Sequence, residues 1–219
     1  NKIAEELKPV SDFAESELNA IVLNKKISDE LRGFKEPYSA TILGYENSEK
    51  SIINLVNTVT SNFNISNRFY KVKKKMLKLD ALEYCDRSAK VGKTNKKISF
   101  EQAYEILHPI FKDADPQYAE ILDKMLQNGQ IDVYPKLGKT GGAYCSSSTN
   151  IPTVVLLNQT DDFKSLMTFA HEMGHAIHSE LSKCQSVLYD SYVIPVAETA
   201  STFFEQMVFD VMFEKVNYK

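Results

Sequence analysis

The segment FAHEMGHAIH, residues 169–178, constrains this chain more than any other, because it contains three of the four histidines. His171 and His175 are four residues apart, a spacing at which side chains are neighbours on the surface of an α-helix. Apolar residues gather on one face of such a helix, which has about 3.6 residues per turn; they are Phe163, Leu166, Met167, Ala170, Gly174, Ile177 and Leu181. The sequence therefore predicts a long amphipathic helix over about residues 161–183, with the histidines at the edge of its apolar face.

His171 and His175 can bind one metal ion, because neighbouring imidazoles can both reach it at the about 2.0–2.1 Å of zinc–nitrogen bonds. Glu172 lies in the same turn, where it can reach a metal-bound water without binding the metal itself. This is the H-E-x-x-H pattern, in which two histidines bind zinc and the glutamate is the general base. Histidines four residues apart also occur by chance on surface helices. Three histidines and a glutamate beside an apolar face nevertheless favour a metal site.

The residues that follow His175 on this helix exclude one class of zinc site. The metzincin pattern requires a glycine and a further histidine where this chain has His178 and Leu181, so that class is excluded. His178 is seven residues from His171, about 10 Å along a helix axis. Because that is too far for all three histidines to bind one ion, we assign His178 a supporting role outside the metal ligands.

The third ligand that zinc requires is expected on the next helix, predicted at about residues 195–216. Pro195 suits the first position of that helix, which places Glu198 in its first turn. In a hairpin of two helices, Glu198 then lies opposite the histidines. Glu205 follows two turns later on the same stripe. From spacing alone, Glu198 is the preferred ligand, and Glu205 is the alternative ligand or a supporting group.

Most of the remaining chain has the residue spacing of helices. The first helical segment is interrupted at Pro9, and residues 47–79 carry apolar residues at helical intervals. Ser99, with Gln102 three residues later, forms a capping box that marks the start of another helix. A mainly helical fold is therefore expected.

The segment before the histidine helix differs, being rich in β-branched residues, glycine and serine. It predicts short strands around Ala143–Ser146 and Thr153–Leu157. The predicted fold class is thus mainly α, with a small β-sheet beside the metal-binding helix. The polar connection from Glu83 to Lys97 suggests two regions. Residues 1–97 form a helical region, and residues 98–219 hold the predicted metal site.

Composition argues against several other functions. Arginine, the preferred residue for paired contacts to phosphates and bases, is scarce, and the one basic run, Lys71 to Lys75, is interpreted as a solvated helix face. Nucleic-acid binding is therefore not expected. The three cysteines lie far apart, which argues against disulfides and predicts a cytoplasmic protein. No apolar run reaches the about 18 residues of a membrane span, so no membrane association is expected.

The sequence resembles the oligoendopeptidase F branch of the thimet oligopeptidase family of zinc metallopeptidases. The resemblance rests on HEMGHAIH followed by PVAETAST, and on other stretches in the same order, including ISFEQAYEILHPIF and IDVYPKLGKTGGAYCSS. It extends over most of the chain, from Gly33 to Asp210. It implies a partial zincin-type catalytic fold, with a helical body around a deep channel that admits short flexible peptides but not folded proteins.

The resemblance also implies roles for individual residues. One zinc ion per chain would be bound by three ligands: His171, His175 and Glu198. Glu172 would be the general base that deprotonates the zinc-bound water, which then attacks the scissile carbonyl. A cleft strand that pairs with the substrate backbone corresponds to Gly142, Ala143 and Tyr144. An ordinary tight turn and strand is the alternative interpretation of these three residues.

Members of this family are much longer, and their transition-state tyrosine and a further histidine have no counterpart before Lys219. The chain is therefore interpreted as a fragment cut at both ends. Alone, it is expected to bind zinc but to hydrolyse peptides at least about 100-fold more slowly than the uncut protein. Apolar residues of the last helix are expected to be exposed and to favour self-association; they are Phe203, Phe204, Phe209 and Phe213.

The predicted function is hydrolysis of internal peptide bonds in short peptides by zinc-activated water. Two alternatives remain. One is a non-catalytic helical interaction module with a vestigial site, which would bind little or no zinc. The other is a zinc metallocarboxypeptidase, which would not cleave peptides with blocked ends.

Overall fold

The computed structural model describes residues 2–92 and 97–217. Residues 93–96 of the predicted polar connection, and the chain ends, therefore lie outside the described residues. The described residues divide after Arg87 into two compact units. Within these residues, no helix combines the length and apolar character needed to cross a membrane.

The first unit is helical. Its elements are α1 (Lys2–Leu7), α2 (Ser11–Leu31), α3 (Ser39–Gly44), α4 (Glu49–Ser61) and α5 (Phe63–Leu77). A 3-10 turn, Lys8–Val10, separates α1 from α2 at the predicted break at Pro9. The basic run on α5 is mainly exposed, as expected for a solvated face, but Lys73 is buried and its ammonium donates to the carbonyl oxygen of Arg87.

The helical spacing in residues 47–79 belongs to two helices, because the helix breaks at Asn62. The hydroxyl groups of Thr58, Thr60 and Ser61 donate to carbonyl oxygens three or four residues earlier. The Asn62 amide likewise donates to the Thr58 carbonyl. Side chains of this kind compete with the helical backbone for its hydrogen bonds, and four of them lie within the five residues where α4 ends.

The second unit carries the small sheet. Its elements are α6 (Phe100–Ala114), α7 (Pro116–Gln127), β1 (Ile131–Asp132), β2 (Tyr144–Ser148), β3 (Ile151–Leu156), α8 (Phe163–Ser182) and α9 (Ile194–Asn217). The capping box predicted at Ser99 and Gln102 is present at the start of α6. Strands β2 and β3 are antiparallel neighbours, whereas β1 pairs in parallel with the other side of β3. The predicted fold class is therefore observed, with β1 as an additional, two-residue strand.

The core of this unit lies between α6, α7, the sheet and the two long helices. Fully buried side chains include Leu107 and Phe111 on α6, Leu122 on α7, and Phe169 and Met173 on α8. Helix α8 packs against both β2 and α9. Its polar side chains are thereby held between a β-strand and a second helix, which is the arrangement that forms the site.

One side chain expected at the exposed surface of α9 is instead part of the core. Phe204 is only 5% exposed and makes edge-on contacts with the rings of Phe111 and Tyr118. The expectation was wrong because this position of α9 faces α8 and α6. Phe203, Phe209 and Phe213 are exposed as expected.

Candidate metal centre

Two turns of α8 bring the imidazoles of His171 and His175 together. Their ring centroids are 5.0 Å apart and the rings are nearly perpendicular. Glu198 of α9 completes the group, with its Oε2 atom 3.4 Å from His171 Nε2 and 3.7 Å from His175 Nε2. One potential ligand atom from each of the three residues lies within 4.8 Å of the others.

Glu198 reaches the histidines from a different turn of α9 than the sequence suggested. Because α9 begins at Ile194, Pro195 is its second residue and Glu198 its fifth. Glu198 therefore lies in the second turn, and the prediction of the first turn was wrong. The connection after α8 leads the chain back so that α9 packs along α8, and this packing brings Glu198 opposite the histidines.

The dimensions of this group suit zinc. Ligand atoms at about 2.1 Å from a tetrahedral zinc ion are about 3.4 Å from one another. The two separations of 3.4 and 3.7 Å from Glu198 to the imidazoles are close to that value. Two imidazoles and one carboxylate are also a known ligand set of catalytic zinc, which leaves a fourth position for water or substrate. Burial lowers the pKa of His175, which keeps its imidazole in the neutral form that binds metals.

Glu172 lies beside these residues on α8 but does not join the group of possible ligands. Its side chain is buried, and burial raises the pKa of its carboxyl group, with Glu198 contributing in the same direction. The backbone N–H of Cys145 and the nearby His171 act in the opposite direction. A buried carboxylate with a raised pKa is suited to accept and later release a proton near neutral pH.

Glu205 lies next to His171, on the opposite side of the ring from Glu198. Its Oε2 atom is 3.1 Å from His171 Nδ1. If Nδ1 carries the proton and donates it to Glu205, Nε2 keeps its lone pair directed towards Glu198 and His175. A carboxylate in this position fixes the tautomer and orientation of a metal-binding histidine.

His178 lies one turn beyond His175 and outside the group of possible ligands. Its ring packs against the ring of Tyr192, from the connection between α8 and α9, with the centroids 4.5 Å apart and the planes tilted by 38°. The Tyr192 hydroxyl is 3.0 Å from the hydroxyl of Ser179. The Nδ1 atom of His178 is buried and has no hydrogen-bond partner among the described residues. His178 therefore packs behind the site instead of facing its centre.

The metal-site residues line an open cleft of about 400 Å³ between α8, α9 and β2. Ala143 and Tyr144 lie on the opposite wall of this cleft, and Gly142 precedes them with a positive φ of 81°. Strand β2 is at the edge of the sheet, because its only partner in the sheet, among the described strands, is β3. The cleft thus combines possible metal ligands, a buried carboxylate and a free strand edge.

Sequence reasoning did not identify two residues that the structure brings to this site. Tyr192 lines the cleft, and the hydroxyl of Ser201 lies 2.7 Å from Glu198 Oε2. Ser201 carries a weak signal in the sequence, because it follows Glu198 by three residues and is a neighbour on the same helix face. Tyr192 lies in an irregular connection, and nothing in the sequence links it to the histidines.

Comparison with known proteins gives consistent matches. Residues 5–216 match the sequence model of peptidase family M3. Oligopeptidase PepF of Bacillus subtilis is 31% identical over 180 residues, covering 81% of this chain and 27% of that protein. An oligoendopeptidase F homologue of Borreliella burgdorferi is 32% identical over 181 residues, covering 81% of this chain and 31% of that protein.

A solved structure agrees with these matches. The crystal structure of a candidate peptidase from Chlamydophila abortus superposes with a TM-score of 0.74 at 26% identity, covering 90% of this chain and 33% of that one. The chain thus spans about a third or less of the length of each protein named here. The resemblance to the oligoendopeptidase F branch is confirmed.

Proposed function

The chain belongs to peptidase family M3, and from that premise we propose that it carries the zinc site of an endopeptidase for short peptides. The observation that supports this most strongly is the convergence of His171, His175 and Glu198, with possible ligand atoms within 4.8 Å of one another. These residues share a cleft with a buried carboxylate and a free strand edge. A site that had lost its function would not be expected to keep the possible metal ligands, the buried carboxylate and the free strand edge together.

His171, His175 and Glu198 would hold the ion, and Glu205 would orient His171 through its Nδ1 atom. Zinc, when bound, supplies a Lewis acid that polarises the scissile carbonyl and lowers the pKa of water. Glu172 would accept a proton from the attacking water on its carboxylate and then deliver it to the departing amine. Its raised pKa matches both tasks better than that of a solvated glutamate.

The substrate would bind as an added strand along β2. A free strand edge offers backbone N–H and C=O groups to an extended peptide, as in other cases of β-augmentation. Gly142 has no side chain to obstruct that approach, and Ala143 has only a small one, whereas the exposed Tyr144 ring can contact a substrate side chain. This mode of binding requires an extended backbone, so flexible peptides are the expected substrates.

The test begins with metal content. The purified chain is expected to contain one zinc ion, measured by elemental analysis, and His171→Ala and His175→Ala are each expected to abolish stoichiometric binding. Full zinc content in both variants would show that the ligands are elsewhere. A wild-type chain with far less than one zinc ion would favour the non-catalytic module.

Glu172→Gln separates catalysis from metal binding. Glutamine keeps the shape of the side chain but cannot accept a proton, so zinc should be retained, while hydrolysis falls by about 10²–10⁴-fold. Hydrolysis is measured in the natural full-length context, on a peptide with an acetylated N-terminus and an amidated C-terminus. Cleavage at an internal bond supports an endopeptidase, whereas cleavage only of peptides with a free C-terminus would identify a carboxypeptidase. Near-normal turnover by the zinc-loaded variant would exclude Glu172 as the base.

A further inference from the structure

The backbones of helices α8 and α9 lie close together at Gly174 and Ser201. A Cβ atom added to Gly174 would lie 2.8 Å from the Cα atom of Ser201 and 3.1 Å from the carbonyl oxygen of Ala200. Both Gly174 and Ser201 are buried, and Ser201 is 0% exposed. The contact lies one residue before His175 and three residues after Glu198. The packing of the two helices at this point therefore controls the distance between metal ligands on different helices.

Ser201 also makes a polar contact within this packed region. Its hydroxyl is 2.7 Å from Glu198 Oε2 and 3.1 Å from the Glu198 carbonyl oxygen. A serine hydroxyl has one proton to donate, so it can fully satisfy only one of these acceptors. The carboxylate is closer and charged, and hydrogen bonds to charged acceptors are about twice as strong as neutral ones. The carboxylate is thus the favoured acceptor.

The oxygen that accepts from Ser201 is the same Oε2 atom that faces both imidazoles. Glu198 has a long, flexible side chain that is 48% exposed, so nothing in its own covalent structure fixes the carboxylate opposite the histidines. Immobilising such a side chain costs rotamer entropy. A buried hydroxyl on the same helix, itself held in place by Gly174, can restrict the carboxylate before any ion binds.

We propose that Ser201 is a positioning residue, whose hydroxyl holds the Glu198 carboxylate in the orientation required to bind the metal. The inference rests on the proposed function, since it assumes that Glu198 is a ligand. Supporting groups that orient metal ligands typically contribute about 10–100-fold to metal affinity. Ser201 contributes within that range, without touching the metal or the substrate.

The test is Ser201→Ala, compared with Thr202→Val as a matched control. Alanine is smaller than serine and has a higher helix propensity, so the variant is expected to fold. Thr202 also donates its hydroxyl to the backbone carbonyl of Glu198, and its hydrogen bonds among the described residues go to backbone oxygens and not to the carboxylate. Zinc affinity is measured by competition with a chromophoric chelator, and thermal unfolding is measured without metal.

We expect Ser201→Ala to weaken zinc binding by about 10–100-fold, while Thr202→Val binds zinc as wild type does and both metal-free proteins unfold near the wild-type temperature. In a Glu198→Ala background, the Ser201→Ala substitution should have no further effect on affinity, because the group it positions is gone. Equal zinc affinity of wild type and Ser201→Ala, or the same loss with and without Glu198, would overturn the positioning role alone. Failure of the wild-type chain to bind zinc would instead overturn the proposed function on which it rests.

Discussion

Gly174 offers the most direct way to test whether the spacing of α8 and α9 sets the geometry of the candidate metal centre. Replacing it with alanine adds a single Cβ atom, which would lie 2.8 Å from the Cα atom of Ser201 and 3.2 Å from the Cβ atom of Phe204. Ordinary contacts of a Cβ atom begin near 3.4 Å. Because the nearest atom is backbone, no side-chain rotation relieves the overlap, and α9 must move away by about 0.6 Å.

The expected change in the free energy of unfolding is the difference between the cost of overpacking and the gain in helix propensity. Overpacking of a buried contact costs about 1–3 kcal/mol. Alanine regains about 1 kcal/mol, because glycine is the poorer helix former. The variant should therefore lose about 1 kcal/mol of unfolding free energy, which lowers the melting temperature by a few degrees in a chain of this size.

We expect the substitution to affect zinc affinity more strongly than it affects the stability of the fold. Metal–ligand distances tolerate deviations of about 0.2 Å, whereas a shift of about 0.6 Å in α9 carries Glu198 away from both imidazoles. We expect zinc affinity to fall at least about 10-fold, as for other disturbances of ligand orientation. Calorimetry without metal and chelator competition measure the two effects separately.

Gly44→Ala is the matched control. Gly44 ends helix α3, and an added Cβ atom there meets nothing within 4 Å, so neither stability nor zinc affinity should decrease. If Gly174→Ala were as stable as wild type or more so, with unchanged zinc affinity, the close approach would not control the site and the argument from helix packing would fail.

Other predictions concern the roles of the α9 carboxylates and the cysteines. Glu198→Ala should weaken zinc binding, measured by chelator competition, much more than Glu205→Ala, for which we expect a loss of about 10-fold through His171; the reverse order would make Glu205 the ligand. Burial raises the pKa of the Cys145 thiol to about 12, whereas Cys85 and Cys184 are exposed. Iodoacetamide at pH 8 should therefore label Cys85 and Cys184 much faster than Cys145 in the folded protein, and rapid labelling of Cys145, detected by peptide mass spectrometry, would contradict the raised pKa of its thiol.

The parts of the fold that sequence predicts well are those determined by local pattern. The histidine helix was expected over about residues 161–183 and spans Phe163–Ser182, because its apolar period is strong and Asp162 caps its start. The apolar period does not show the break at Asn62, because the break comes from hydroxyl and amide side chains that do not disturb that period. Strand β1 has two residues and exists only through its pairing with β3, so no local pattern could indicate it.

For the candidate site as well, local sequence patterns predict one part, and contacts between distant parts of the chain determine the rest. Spacing within one helix is sufficient to place His171 and His175 side by side. Spacing within α9 favoured Glu198 but left Glu205 as an alternative, since both lie on one stripe seven residues apart. The choice depends on how α9 packs along α8, to which the close contact at Gly174 contributes.

That positioning also brings two of the α9 carboxylates, Glu198 and Glu205, to a single imidazole. Glu198 Oε2 is 3.4 Å from Nε2 of His171, and Glu205 Oε2 is 3.1 Å from Nδ1 of the same ring. Two turns of helix span about 10.5 Å, which two glutamate side chains can bridge when they reach towards a ring that lies between them. A shift of α9 along its axis would therefore disturb the candidate ligand and the group that orients His171 together. We therefore expect the candidate metal centre to be sensitive to the register of the two helices, so that its affinity for zinc reports on that register even in variants that change none of the candidate ligands.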